Sequence, residues 1–588
     1  MFGGERASDA RGALRRLLGY MKPHRGSIAV VFCLATVGTV LALSGPYLMG
    51  AAIDRIVAGE RMAIILRVVG LMAGAYALAW IANVAQGVLI ATVAQRAMRT
   101  LRGALFDHLQ RLSLAFHDSR RSGETMSRLT NDIDAISRVL SQNVTQLFSG
   151  LLTTVGILIV MFVLSPWLAL ASMLVLPLML GIVVLVGRKT RTAFRAYQRN
   201  LGALNGTLEE TFSGQRVVTA FGQQERTLER FDRHNADVRR VGIHAMTYAL
   251  FVMPMMGILS NLNVAVVAGV GGWLTVRGLV TVGLIATFIT YSRRFAEPLR
   301  QLGGLYNQIQ QSLAGAERVF EVLDEAPDLV DETEAVTLSS ARGLVELEKV
   351  TFAYVPNVPV LTAVSLRALP GETIALVGPT GAGKTTLVNL LSRFYDVQEG
   401  AIRIDGADIR TWSKASLRKQ LGVVLQQTFL FAESVLDNIR YGRLDASDDD
   451  VAAAAELAGA DHFIRTLPEG YHTILSERGA DLSEGQRQLI AIARAILADP
   501  RILILDEATS SVDTRTEVQI QRALRRLMQG RTSFVIAHRL STIRSADRIL
   551  VMERGTIVER GTHDELLERR GTYHRLYMSQ FRGQADVA

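Results

Sequence analysis

Residues 378–386 read GPTGAGKTT, and they directly follow the apolar stretch TIALV. The pattern G-x-x-x-x-G-K-[ST] between a strand and a helix is typical of a phosphate-binding loop, because glycines let successive backbone N–H groups curl around phosphate oxygens. The following helix directs the positive end of its dipole at the same anion. The stretch therefore predicts a site for ATP and Mg²⁺, in which Lys384 reaches the β- and γ-phosphates and Thr385 binds the metal. The nucleotide contacts expected here are Gly378, Pro379, Thr380, Gly381, Ala382, Gly383, Lys384, Thr385 and Thr386.

Around this loop, from residue 343 onward, strand-like runs alternate with helical ones. That alternation is typical of an α/β domain with a mostly parallel sheet. One apolar run, ILILDE, ends at Asp506 and Glu507. An acidic pair at a strand end is by itself more often part of a turn. Beside a phosphate-binding loop, however, Asp506 is expected to hold Mg²⁺ and Glu507 to polarise the attacking water.

The first half of the chain has a different composition. Of 588 residues, 49% are hydrophobic and 20% are charged, which departs from soluble averages. Each uncharged run is long enough to cross about 30 Å of hydrocarbon, and the longest has room for two crossings with a turn near Ser165 and Pro166. Six transmembrane helices are predicted, in residues 27–53, 68–95, 139–187 (two helices), 241–276 and from 278 onward.

Arginine and lysine are concentrated in two places, the loop between the second and third spans and the loop between the fourth and fifth. The intervening turns carry few such residues, among them Arg55, Arg61 and Arg277. The positive-inside rule then predicts a multi-pass protein of the cytoplasmic (inner) membrane with both termini in the cytoplasm. The net charge of +9 thus reflects topology in large part, and nucleic acid is not expected as a partner.

These observations predict three parts. Residues 1–320 form an all-α transmembrane domain, residues 321–342 form an acidic linker, and residues 343–588 form an α/β nucleotide-binding domain.

Five motifs follow the spans in a fixed order: GPTGAGKTT, VVLQQTFLF, LSEGQRQ, ILILDEATSSVD and IAHRLST. Their order, downstream of six spans, resembles an ABC transporter half of the exporter type, from the multidrug and lipid exporter family. The resemblance covers nearly the whole chain. It implies an ATPase coupled to transmembrane export or flipping of drugs or lipids by alternating access, with a second exporter half as partner. An ATP-gated channel or regulator on the same scaffold, and an importer with the exporter fold, are the alternatives.

The resemblance also implies roles for single residues. Tyr354 would stack on adenine, Gln426 would sense the γ-phosphate and Mg²⁺, and Asp513 would couple the two ATP sites of a dimer. Ser483, Gly485 and Gln486 of the LSEGQ segment would close on ATP held by the opposite chain. The expected catalytic residues are Glu507, His538 and Lys384, and the expected metal ligands are Thr385, Gln426 and Asp506.

Glu484 stands in LSEGQ where the family pattern has glycine. Ser483 and Gln486 fit a capping box, and a carboxylate in the first turn of a helix is favoured by the helix dipole. Near an incoming triphosphate, however, it repels like charge. We therefore expect a heterodimer rather than a homodimer, with this chain as the catalytically complete half.

The predicted spans carry scattered polar residues, such as Asn261 and Asn263, which hydrogen bonds between helices can absorb. This composition favours a hydrophobic or amphipathic cargo. Arg293 and Arg294 lie deep in the sixth span, where charges are expensive. They either pair with Glu297 or extend to the inner interface, or else they line a substrate cavity that binds an anionic headgroup.

Overall fold

The computed structural model describes residues 8–327, 331, 335–338, 340–426, 428–506, 513–537 and 539–580. The chain divides into two compact units. The first consists of Met1–Arg111 with Arg121–Glu325, and the second of Leu112–Arg120 with Ala326–Ala588. The short segment Leu112–Arg120 therefore belongs with the C-terminal unit, although it lies within the N-terminal half of the sequence.

The described residues of the N-terminal half form helices joined by short turns, with no strand among them. Two π-helical turns, Arg128–Asp132 and Val139–Asn143, join short helices into the continuous helical stretch Ser122–Leu164. The α-helices are α1 (Ala10–Met21), α2 (Arg25–Val57), α3 (Met62–Arg111), α4 (Leu114–Ser119), α5 (Ser122–Ser127), α6 (Ile133–Arg138), α7 (Val144–Leu164), α8 (Pro166–Met173), α9 (Leu176–Ser213), α10 (Gln215–Ala220), α11 (Gln224–Val276) and α12 (Val282–Asp324).

Five helical stretches in the described residues are long and apolar enough to cross a membrane. The helix α12, which contains the sixth predicted span, is not among them, because charged residues from Arg293 onward interrupt its apolar part. The predicted turn between the third and fourth spans is confirmed, since α7 ends at Leu164 and Ser165 caps α8. The five stretches are Ala10–Val57, Met62–Arg111, Ser122–Leu164, Pro166–Ser213 and Gln224–Val276.

The helix α12 extends to Asp324, so the first residues of the segment predicted as a linker (321–342) are helical. Packing explains this difference. Phe320 and Val322 are buried, and Arg16 of α1 stacks on the Phe320 ring and pairs with Asp324 at 2.5 Å. The acidic composition that indicated a linker therefore includes a carboxylate that holds the end of a helix.

The C-terminal unit contains two sheets. Its strands are β1 (Val345–Phe352), β2 (Leu361–Ala368), β3 (Thr373–Val377), β4 (Glu399–Ile404), β5 (Ala407–Asp408), β6 (Leu421–Val424), β7 (Ile502–Asp506), β8 (Thr532–Ile536), β9 (Arg548–Glu553) and β10 (Thr556–Gly561). Its helices are α13 (Lys384–Leu391), α14 (Lys414–Lys419), α15 (Val435–Arg440), α16 (Asp448–Ala458), α17 (Asp461–Ile464), α18 (Glu484–Ala498), α19 (Thr514–Met528), α20 (Leu540–Arg544), α21 (His563–Glu568) and α22 (Thr572–Gln580).

The larger sheet has the strand order β10-β9-β3-β8-β7-β6, and all its neighbours are parallel except β10 and β9. This confirms the predicted α/β class with a mostly parallel sheet. The second sheet is antiparallel, with the order β2-β1-β4-β5. Strands β3 and β8 are buried along nearly their whole length, as expected for parallel strands covered on both faces. The carboxyl ends of β3, β8, β7 and β6 therefore meet along one edge.

Candidate functional site

The phosphate-binding loop lies between β3 and α13, as predicted. Gly378 has a φ of 158° and Gly383 a φ of 97°, values that favour glycine. Space is also restricted: a Cβ at Gly378 would lie 2.2 Å from the Met552 carbonyl oxygen, and one at Gly383 would lie 2.6 Å from a methyl group of Leu361. Only glycine fits at these two positions, so the backbone itself forms the cradle that a phosphate would occupy.

Lys384 begins α13 and is only 8% exposed. Its Nζ donates hydrogen bonds to the carbonyl oxygens of Gly378 (2.7 Å) and Pro379 (3.1 Å). Burial lowers the pKa of Lys384, and the negative charge of Asp506 opposes that shift. A phosphate in the loop would favour the charged form further. The ammonium group therefore fits an anionic ligand at this place.

The sheet brings the other strand-end residues to the same edge. Asp506 is the last residue of β7 and pairs in register with Ile536 of β8, the strand next to β3. Gln426 is exposed two residues after β6, and Thr385 is exposed in the first turn of α13. Since β6, β7, β8 and β3 are parallel neighbours, their carboxyl ends lie on one side of the sheet.

Among the described residues there is no cluster of three or more His, Cys, Asp or Glu side chains that could hold a metal ion. Beside phosphates, a magnesium ion usually takes oxygen ligands from the nucleotide as well as from the protein. The hydroxyl of Thr385 and the carboxylate of Asp506 suit that mode. Glu507 and His538 lie outside the described residues.

Tyr354 is 45% exposed, so its ring is free to stack on a base. The edges of two aromatic rings support it: the ring of Phe352 lies 4.9 Å from it at 87°, and that of Tyr395 lies 5.1 Å away at 88°. Asn389 of α13 donates a hydrogen bond to the Tyr354 hydroxyl at 3.3 Å. The side chain of Tyr354 is thus fixed in position next to α13, the helix that follows the phosphate loop.

Two residues near this site were missed by the sequence analysis. Tyr395 donates a hydrogen bond to Asp118 of α4 at 2.6 Å, and burial together with this bond raises the pKa of Tyr395. The two residues are 277 positions apart, and no local pattern links them. Tyr395 packs directly on the ring of Tyr354. It therefore connects the segment Leu112–Arg120 to the residue expected to stack on adenine.

The LSEGQ segment begins α18, and its capping box is present as predicted. Ser483 Oγ accepts a hydrogen bond from the Gln486 N–H at 3.2 Å, and Gln486 Oε1 accepts one from the Ser483 N–H at 2.9 Å. Glu484 is half-buried in the first turn, and Gly485 is buried. The helix packs on α15, α16, α19 and β6.

Asp513 caps the next helix, α19. Its Oδ2 accepts a hydrogen bond from the Thr516 N–H at 3.0 Å, which lowers the pKa of Asp513. The carboxylate is exposed, so its charge is available at the surface while it fixes the start of the helix.

Comparison with known proteins agrees with this geometry. The family described as ABC transporter transmembrane region matches residues 28–299, and the family described as ABC transporter matches residues 361–510. The chain is 43% identical to the ABC transporter ATP-binding protein YfiC of Bacillus subtilis, over 98% of this chain and 95% of the relative. It is also 43% identical to a fatty acid ABC transporter ATP-binding/permease protein of Mycobacterium bovis, over 97% of both chains. Identity to an ATP-dependent lipid A-core flippase of Syntrophus aciditrophicus is 41%, over 97% of this chain and 94% of the relative.

The chain belongs to the ABC exporter family. It is a half-transporter, in which a helical transmembrane region and an α/β nucleotide-binding domain share one polypeptide. As an ABC exporter it is an ATPase that drives transport across a membrane. A half-transporter implies a dimer, since two halves make a complete exporter.

The membrane unit of this ABC exporter explains one of the two deep arginines. Pro46 lies inside α2 and has no N–H, so the carbonyl oxygen of Ala42 loses its helical donor. Arg294 Nη1 donates to that oxygen at 3.0 Å, and its Nη2 donates to the Tyr76 hydroxyl at 3.4 Å. Arg294 therefore joins two other spans, which differs from both structural roles that the sequence suggested.

Arg293, by contrast, is exposed. Glu297, four residues later, accepts a hydrogen bond from Gln301 at 2.9 Å. The cationic side chain is left available for an anionic group from outside the helix.

Proposed function

We propose that this chain, paired with a second half, exports or flips amphipathic compounds such as lipids, fatty acids or drugs from the cytoplasmic side of the membrane. The observation that carries the proposal is the phosphate loop with its buried Lys384, on the same chain as apolar membrane helices. Relatives whose names specify a fatty acid and a lipid A core support the cargo class. The exposed Arg293 would suit an anionic headgroup among such cargoes.

Bound ATP would supply the phosphoanhydride bond whose hydrolysis drives the cycle. For this chain we assign the ammonium group of Lys384 to holding the β- and γ-phosphates, and Thr385 and Asp506 to holding Mg²⁺. Glu507 would take a proton from the attacking water, and His538 would contact the γ-phosphate. All these groups end or follow β3, β7 or β8 in the sequence, which is why one sheet can serve them together.

Other residues would bind the rest of the nucleotide or the partner. Tyr354 would stack on the adenine, and Gln426 would join the γ-phosphate and Mg²⁺ to the membrane helices. Ser483 and Gly485 would face ATP held by the second half, and Asp513 would lie where the two halves meet. These roles rest on the family resemblance together with the exposure of Tyr354, Gln426 and Asp513.

The second half is expected to differ from this one. Glu484 places a negative charge beside the ATP of the partner, so this chain would form the poorer clamp. Its own phosphate loop matches the full pattern. A heterodimer explains this imbalance, with a partner that has an unaltered signature but lacks the equivalent of Glu507. The arginine-rich loops support cytoplasmic termini in the cytoplasmic membrane.

The test is reconstitution of the chain into lipid vesicles, alone and with candidate partner halves. ATP hydrolysis and ATP-dependent movement of a fluorescent fatty acid and a fluorescent phospholipid are measured. Lys384→Ala should lower both activities by about a hundredfold or more, because it removes preorganised charge from the phosphates. Lys419→Ala, an exposed lysine on α14, is the control and should be silent. Movement that persists in Lys384→Ala would refute ATP-driven transport, and full activity of the lone chain would refute the heterodimer.

A further inference from the structure

A narrow cleft lies inside the membrane unit, between α7, α8, α9, α11 and α12. Its cavity volume is about 20 Å³, so it admits only a small polar group. The lining is mainly apolar and includes Met161, Met173, Met179 and Phe295. Methionine side chains are flexible and adapt to irregular apolar partners. Two polar side chains, Asn263 and Ser292, complete the lining.

Both polar side chains are buried without a partner. Asn263 is 8% exposed and Ser292 is 9% exposed. Asn263 Oδ1 and Ser292 Oγ have no hydrogen-bond partner in the described part of the chain. The sequence led us to expect that bonds between helices would absorb Asn263, and the structure contradicts this for its Oδ1. In a bilayer no bulk water is at hand to replace the missing bonds.

Ser292 differs from its neighbours in this respect. Thr287 and Thr290, on the same helix, donate their hydroxyls to the carbonyl oxygens of Gly283 (3.0 Å) and Ala286 (2.9 Å). Ser172, which also lines the cleft, donates to the Ala169 carbonyl at 2.8 Å. A hydroxyl side chain in a helix commonly donates a hydrogen bond to a backbone carbonyl of the preceding turn. Thr287, Thr290 and Ser172 do so, whereas the Ser292 hydroxyl does not.

We propose that this cleft binds the polar head of a single-chain amphiphile that carries a hydroxyl or an un-ionised carboxylic acid. Asn263 Oδ1 can only accept a hydrogen bond, so the ligand must donate one. The Ser292 hydroxyl can donate, so an oxygen of the ligand can accept. An alcohol and a carboxylic acid have both functions in one group, whereas an ester cannot donate. The methionines and Phe295 then contact the first part of the chain.

The inference deepens the proposed function by naming the chemistry of the ligand head. Two sources share this chemistry, namely the transported cargo and a resident lipid of the membrane. The binding itself involves no step of ATP hydrolysis. Lys384→Ala should therefore leave it intact, so a failure of the cleft proposal is distinguishable from a failure of ATP-driven transport.

The experiment uses the full chain in lipid nanodiscs with three photoactivatable probes: a long-chain fatty acid, the matching alcohol and the methyl ester of the acid. Crosslinked peptides are identified by mass spectrometry. We expect the acid and the alcohol to label peptides that line the cleft, and the ester to label them about five- to tenfold less, the difference that one neutral hydrogen bond makes. Equal labelling by the ester, or labelling spread over the whole lipid-facing surface, would overturn the proposal.

Variants test the two polar groups separately. Asn263→Leu and Ser292→Ala should each lower labelling by the acid and the alcohol about five- to tenfold. Ser292→Thr keeps the hydroxyl and should retain labelling. Asn261→Leu is the matched control, because Asn261 is exposed on the same helix two residues earlier. Unchanged labelling in Ser292→Ala, the mildest of these changes, would mean that the cleft holds water alone and would refute the proposal.

Transport separates the two sources. If the ligand is cargo, Asn263→Leu and Ser292→Ala lower ATP-dependent movement of the labelled fatty acid or alcohol in the same proportion as crosslinking. If it is a resident lipid, crosslinking falls while movement of a fluorescent phospholipid and basal ATP hydrolysis stay at the level of the Asn261→Leu control. Either result supports the binding site that the cleft forms.

Discussion

Glu484 is a residue whose local role and distant role oppose each other. In its own chain it lies in the first turn of α18, where the helix dipole stabilises a negative side chain by about 0.3–1 kcal/mol. In the assembled transporter the same turn is proposed to close on a triphosphate. A half-buried carboxylate facing that triphosphate would repel the phosphates more strongly than one in bulk water.

Replacing this carboxylate should improve ATP binding by the complete transporter. Glu484→Gln and Glu484→Gly should each lower the ATP concentration needed for half-maximal hydrolysis by about three- to tenfold, the effect of removing roughly 1 kcal/mol of repulsion. ATP titrations at two salt concentrations measure this, and the gain should shrink at high salt because ions screen the charge. Glu484→Asp keeps the charge and serves as the control. An unchanged titration in both neutral variants would show that the side chain points away from ATP.

At the scale of elements, α2 and α12 are joined by a series of hydrogen bonds around Pro46. Thr287 donates to the Pro46 carbonyl at 3.0 Å, Tyr291 to the Leu43 carbonyl at 2.5 Å, and Arg294 to the Ala42 carbonyl. Three side chains at one-turn spacing on α12 thus bind the backbone of α2 around Pro46, and Arg294 reaches the carbonyl that proline leaves without a donor. The guanidinium group of Arg294 therefore helps to hold α12 against α2.

Arg294→Leu should destabilise the membrane unit by about 1–3 kcal/mol, because it leaves the Ala42 carbonyl without a donor. Pro46→Ala supplies the missing N–H, so the double variant Pro46→Ala with Arg294→Leu should regain part of that loss. Thermal unfolding in detergent measures both. Arg293→Leu is the matched control and should unfold like the unaltered chain while transporting anionic cargo less well. Additive losses in the double variant would show that the arginine does not act through this carbonyl.

At the scale of the whole molecule, the most informative feature is the segment Leu112–Arg120. It comes from the sequence between two spans, yet it packs with the C-terminal unit. Asp118 in this segment accepts a hydrogen bond from Tyr395, and Tyr395 packs against Tyr354. A change at the proposed adenine site can therefore reach a segment that continues directly into membrane helices.

Removing one hydroxyl should weaken this connection without touching the phosphates. In Tyr395→Phe the ring packing on Tyr354 is kept and the bond to Asp118 is lost. We expect the amount of cargo moved per ATP hydrolysed to fall about two- to fivefold, since one hydrogen bond to a charged group is lost, while the ATP dependence of hydrolysis stays the same. Asp118→Asn should behave alike. A changed ATP dependence with unchanged cargo per ATP would place Tyr395 in nucleotide binding instead.

Much of the architecture was predictable from the sequence because it depends on neighbours along the chain. The phosphate loop needs closely spaced glycines between a strand and a helix, and the capping box needs Ser483 and Gln486 three residues apart. The turn at Ser165 likewise follows from a proline at the start of a helix. Uncharged runs of sufficient length indicated the membrane helices. These features need no knowledge of what lies across the fold.

Only the tertiary structure decided which distant groups satisfy each other. The sequence left Arg294 with Glu297 or the interface as structural partners, whereas packing of α12 on α2 gave it a carbonyl that Pro46 had freed. It could not pair Tyr395 with Asp118, nor show that Asn263 and Ser292 share a cleft without partners. The physical reason is that a hydrogen bond depends on atoms within about 3 Å of each other. Separation along the chain does not fix that distance once helices and strands have packed.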